Sequence, residues 1–120
     1  MRTRAAAAAA LLVVAAAAGC GGSSPRVHVV RPAHPIWCPA EVKMGGRVQH
    51  PRGTFDARRV LGLSLDDAVR LGTAHRCNVR ATTTDGKSLA LTMDLRFDRV
   101  DVIVEHGKVA RFDTHNGPVG

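Results

Sequence analysis

Tyrosine is absent from this 120-residue chain, and its whole aromatic set is Trp37, Phe55, Phe97 and Phe112. Lys and Arg outnumber Asp and Glu by seventeen to ten. Four scattered rings nevertheless give the bases no stacking platform, so the pattern of a nucleic-acid binder is missing. A Gly-Lys-Ser/Thr phosphate loop and a Gly-x-Ser-x-Gly nucleophile elbow are also lacking, and no pair of carboxylates suggests an acid–base site. The histidines, His28, His34, His50, His75, His106 and His115, are spread without ligand spacing. Cys77 is expected to be oxidised in a disulfide, which argues against a Cys–His nucleophile with His75. No enzyme, cofactor or metal site is expected.

Long apolar runs are lacking too. The longest, Ala5 to Ala18, has 14 residues, short of the roughly 20 that a membrane-spanning helix needs. Arg2 and Arg4 precede it and Gly19-Cys20-Gly21-Gly22 follow, the layout of an export signal over residues 1–19. Ala17-Ala18-Gly19-Cys20 resembles the lipobox of bacterial lipoproteins, with Ala17 where Leu is preferred. That resemblance implies lipid attachment at Cys20 and anchorage to the outer face of the bacterial cell membrane. Each buried methylene contributes about 0.8 kcal/mol, so two or more acyl chains would suffice. The alternative is ordinary secretion.

Removal of residues 1–19 takes away two arginines and leaves fifteen basic against ten acidic residues, a net charge of +5. A basic surface outside the cell suits anionic headgroups or wall polymers, and it also simply aids solubility. With Cys20 lipidated, Cys38 and Cys77 form an even pair in an oxidising compartment, and a disulfide is expected between them. Nothing in the sequence fixes their separation, so two separate thiols are the alternative.

Residues 20–53 hold Pro25, Pro32, Pro35, Pro39 and Pro51 together with several glycines. They read as a tether that becomes an irregular cap near Trp37-Cys38-Pro39. Only Val27-His28-Val29-Val30 looks strand-like, and a packed core is not expected there. Residues 54–120 should form one small domain. Asp56 is placed to cap a short helical turn through Leu61, with Gly62 ending it. Ser64 then starts a helix from Leu65 to His75, with Leu65, Ala68, Val69 and Gly72 on the buried stripe and Asp66 opposite Arg70 on the wet face. Cys77–Thr82 reads as a strand, Arg99–Val104 as a stronger one, and Lys108–Phe112 as an edge strand after a His106-Gly107 turn.

The resulting fold class is α+β. One main helix packs on a small sheet of two principal strands plus a short edge strand, with a long reactive-type loop between the main strands. The fifteen residues from Thr83 to Phe97 suffice for a parallel crossover. Asp85-Gly86 is also a hairpin signal that would pair Thr82–Thr84 with Lys87–Ala90.

Within that connection, Thr92-Met93-Asp94-Leu95-Arg96-Phe97-Asp98-Arg99 runs into Val100-Asp101-Val102-Ile103-Val104. Met normally goes to the core. A Met–Asp pair ahead of spaced arginines and an apolar strand reads as a presented loop, the alternative being that Met93 is a core residue of a hairpin. This segment resembles the reactive loop and supporting strand of the potato inhibitor I family of serine-protease inhibitors. Val60-Leu61-Gly62-Leu63-Ser64-Leu65-Asp66-Asp67-Ala68 resembles the family's lead into its helix. Gly107-Lys108-Val109 and Pro118-Val119-Gly120 resemble its closing strands. About 65 residues are covered, and the chain looks most like the bacterial and fungal elastase-inhibitor branch.

The resemblance implies a protease-binding loop of Thr92, Met93, Asp94 and Leu95, with Met93 in the primary specificity pocket and Asp94 just beyond the scissile bond. It implies support from Arg99, with Arg96 helping at the loop exit. The partner would be an extracytoplasmic serine protease of subtilisin, elastase or chymotrypsin type, bound by a monomer held at the membrane through its lipid anchor. Two departures stand out. Asp101 occupies the place of the second supporting arginine of plant members and would repel Asp94 if both faced the loop, and the Asp85-Gly86 turn is inserted. A non-inhibitory envelope lipoprotein that binds a wall polymer or a protein partner through its basic surface is the alternative function.

Overall fold

The computed structural model describes residues 24–114 together with Gly22. Residues 1–19, expected to be an export signal, Cys20 and the Pro118-Val119-Gly120 end lie outside the described residues. The chain is a small α+β protein. Its strands are β1 (Trp37–Cys38), β2 (Val42–Met44), β3 (Arg47–His50), β4 (Phe55–Asp56), β5 (Asn78–Thr84), β6 (Lys87–Ser88), β7 (Arg99–Glu105) and β8 (Lys108–Phe112). A 3-10 turn, Ala57–Val60, and one helix, α1 (Leu65–Ala74), lie between β4 and β5.

The principal sheet has the order β6-β5-β7-β8. Both sequence options for the connection are used. β5 and β6 form an antiparallel pair across Asp85-Gly86, and β5 and β7 run parallel, with Arg80 opposite Asp101. The hairpin takes up only the first part of the connection. The chain then crosses to β7 through residues 89–98.

Period-two alternation sends Val100, Val102 and Val104 to the core, where they are 9%, 0% and 2% exposed. They pack with Val60, Ala68, Cys77, Val79 and Val109. The Ser64 hydroxyl accepts from the Asp67 amide at 3.2 Å and caps α1. The buried stripe of α1 is narrower than its periodicity suggests. Ala68 and Gly72 are buried, but Val69 is 37% exposed. On the wet face Arg70 pairs with Asp67 at 3.3 Å, three residues away, in place of the expected Asp66. Asp56 caps the 3-10 turn through the Arg58 amide.

The proline-rich segment differs most from expectation. Ile36 and Cys38 are core residues, because β1 pairs with β4 and Cys38 is disulfide-bonded to Cys77. β2 and β3 form a separate hairpin. Val27–Val30 belong to no strand, although the Val30 amide donates to Ala110 O at 2.9 Å.

Candidate functional site

Residues 89–98 leave the sheet at one fixed point and rejoin it at another. The Leu89 amide donates to Thr82 O at 2.9 Å, and the Asn78 amide donates to Asp98 O at 2.8 Å. No glycine or proline lies between Ser88 and Asp98, so the segment has neither the freedom of glycine nor a proline-fixed φ. It exposes Met93 at 94%, Leu95 at 72% and Leu89 at 44%, while Leu91 and Phe97 are half-buried.

Side-chain bonds restrain the residues on both sides of Met93. The Thr92 hydroxyl donates to Asp94 Oδ1 at 2.6 Å. Arg99, at the start of β7, donates from Nη2 to Asp94 O at 2.9 Å and from Nη1 to both Asp94 carboxylate oxygens at 3.3 and 3.2 Å. On the other side, Arg80 Nη1 donates to Thr92 O at 3.2 Å and lies 3.9 Å from Asp94 Oδ1. The bond from Thr92, with help from Arg99, holds the exposed Asp94 carboxyl at a pKa of about 2, below its usual 3.8.

Asp101 does not repel Asp94, because two guanidinium groups stand with it. Its side chain is 2% exposed. Arg80 grips it with two parallel bonds, Nε to Oδ1 at 2.9 Å and Nη2 to Oδ2 at 2.6 Å, and Arg99 Nε lies 3.2 Å from Oδ1. Such bidentate pairs fix geometry as well as charge. The bond to Asp101 raises the Arg80 pKa further above its ordinary value. The sheet geometry explains the convergence. Arg99 and Asp101 are two apart on β7, so they share a face, and the parallel register sets Arg80 of β5 beside Asp101. A buried carboxylate thus aligns two cations, each of which reaches on to the loop.

Thr92, Asp94 and Arg99 come together. Arg96 makes its bonds elsewhere, donating from Nε and Nη2 to Asp98 at 3.0 and 2.8 Å. That contact lowers the Asp98 pKa. Leu95 is exposed just past Asp94. Arg80 was missed by the sequence reading. Only the β5–β7 register reveals it, and a run of single-residue signals does not contain that register.

Cys38 and Cys77 form the expected disulfide. Cys20, the residue expected to carry lipid, is outside the described residues. Among the described residues no group of His, Cys, Asp and Glu is suited to hold a metal ion, and no helix is long and apolar enough to cross a membrane. No family model, curated protein or solved structure matches the chain.

Proposed function

We propose that the protein is an exported, lipid-anchored inhibitor of extracytoplasmic serine proteases of the subtilisin, elastase or chymotrypsin type, acting through residues 92–95 as a rigid substrate-like loop. One observation carries this reading: Met93 is 94% exposed while Thr92 and Asp94 on either side are tied to Arg80 and Arg99. A core methionine would be buried, and a casually exposed one would not have both neighbours braced.

The chemistry follows from that rigidity. The protease serine adds to the Met93 carbonyl and forms the acyl-enzyme as the Met93–Asp94 peptide bond breaks, and the amine of Asp94 is the leaving group. Because Arg99 holds Asp94 and Arg80 holds Thr92, the new amine stays beside the acyl carbon, and resynthesis competes with hydrolysis. Prior ordering also reduces the entropy lost on binding, so more of the contact energy appears as affinity. Met93 suits an apolar primary pocket and argues against trypsin-like targets.

The test is titration of residues 21–120 against a panel of serine proteases. Stoichiometric inhibition of at least one apolar-specific enzyme is expected, lost in Met93→Gly with the melting temperature unchanged. Unfolding by Met93→Gly, or undiminished inhibition by that variant, would defeat the reading.

A further inference from the structure

The β2–β3 hairpin lies outside the principal sheet, yet its base is fastened to the loop. The Ala40 amide donates to Phe97 O at 2.7 Å, and the His50 ring lies 5.1 Å from the Phe97 ring. Phe97 is four residues past Met93. Both legs of the hairpin are pinned, the incoming one by the Cys38–Cys77 disulfide and the outgoing one by the Gly53 amide on Pro39 O at 2.8 Å. A two-stranded hairpin is marginal by itself, so these ties make it a fixed feature.

Its surface is unlike a casual one. Met44 is 66% exposed and Val48 49% exposed. The strand register sets Met44 beside Arg47 and Val48 beside Lys43. Residues 41–52 contain Lys43, Arg47 and Arg52 against the single acidic Glu41, which pairs with Lys43 at 3.1 Å.

Interface size supplies the other half of the argument. A standard protein–protein interface uses about 20–30 residues on each side, and residues 89–98 offer ten. A body that covers the loop must also touch what flanks it. At the Phe97 end, that is the hairpin.

Resting on the inhibitor reading above, we propose that the β2–β3 hairpin is a second contact surface for the same protease, docking on an acidic, partly apolar patch at the rim of the cleft on the leaving-group side. Met44 and Val48 supply apolar contact. Arg47 and the net positive charge of the hairpin steer association and select targets by charge complementarity.

The experiment compares three proteins of residues 21–120: the parent, Met44→Ser/Val48→Ser, and Arg47→Glu. Each is titrated against the protease that the parent inhibits, with circular dichroism and melting temperature as fold controls. The inhibition constant should rise about tenfold in each variant. In Arg47→Glu the change should lie mainly in the association rate and shrink with added salt. Arg47→Glu keeps the test open if the double variant proves unstable. An unchanged inhibition constant in both variants would overturn the hairpin surface and leave the inhibitor reading intact. Unchanged inhibition with lost binding to phosphatidylglycerol vesicles would assign the hairpin to lipid and overturn the proposal as well. A parent chain that inhibits no protease would remove both.

Discussion

Asp94 shows at the residue scale why exposure and restraint go together in this loop. Its carboxylate is reached by Thr92 Oγ1 and Arg99 Nη1, and its pKa falls from 3.8 to about 2. A carboxyl whose folded pKa is depressed contributes fully above its unfolded value and ceases to contribute as pH falls through the folded one. The bracing should therefore be complete above about pH 4 and fade between about pH 4 and pH 2. Carbon-13 titration of the Asp94 carboxyl should give a midpoint near the depressed value, and Thr92→Val or Arg99→Met should each move it up toward the ordinary carboxylate range. An ordinary midpoint in the parent protein would mean that these bonds do not persist in solution. In the sequence, a contact of Arg99 with Asp94 followed only from the resemblance to an inhibitor loop, and the Thr92–Asp94 bond was not foreseen. The Arg96–Asp98 pair is just as local, but sequence spacing alone left Arg96 several carboxylates to choose from.

Strands and their register decide what single residues could not. Asp101 looked like a charge opposed to Asp94, because the sequence does not say which strand neighbours β7 or in what alignment. Parallel pairing puts Arg80 opposite it, and the second brace on the loop comes from β5. Arg80→Met should leave the buried Asp101 with Arg99 alone and destabilise by about 3 kcal/mol, as removing one partner of a buried ion pair does. The exchange Arg80→Asp/Asp101→Arg should recover much of that loss, measured by urea unfolding, because the charges meet again across the same register. No recovery would show that position, and not merely sign, is essential. Helix packing has a similar dependence on partners. Gly72→Ala ought to favour α1 by about 1 kcal/mol on propensity alone. Its Cβ would instead meet Cys77 O at 2.5 Å and Val79 Cγ2 at 2.7 Å. Net destabilisation of about 1–3 kcal/mol is expected, with a lower melting temperature. Periodicity placed Gly72 on the buried stripe, but only the approach of β5 shows why nothing larger fits.

For the molecule as a whole, the Cys38–Cys77 bond joins a proline-rich segment that reads as tether to the helix and sheet that read as domain. Proline and glycine spacing suggested irregular backbone across residues 20–53, yet β1, β2 and β3 lie within that stretch. It did not show that Ile36 and Cys38 enter the core, because the contacts that hold them, β1 on β4 (Trp37 with Asp56, Cys38 with Phe55) and sulfur on sulfur, join residues far apart in sequence, 39 apart for the disulfide. A disulfide closing a loop of this length stabilises by about 4 kcal/mol in the chain-entropy model. Cys38→Ala/Cys77→Ala should therefore lose roughly that amount in urea unfolding, a large share of the 5–15 kcal/mol typical of a domain. The loss should also be uneven. Hydrogen exchange at the Ala40 and Gly53 amides, which tie the cap to Phe97 and Pro39, should accelerate most, since the bond that pins them is gone. Amides of β5 and β7 should keep their protection relative to global unfolding, because the Arg80–Asp101–Arg99 cluster lies within that sheet and needs no help from the cap. Uniform acceleration across cap and sheet would instead mean that the two unfold as one cooperative unit, and that the loop depends on the disulfide as much as on its arginines.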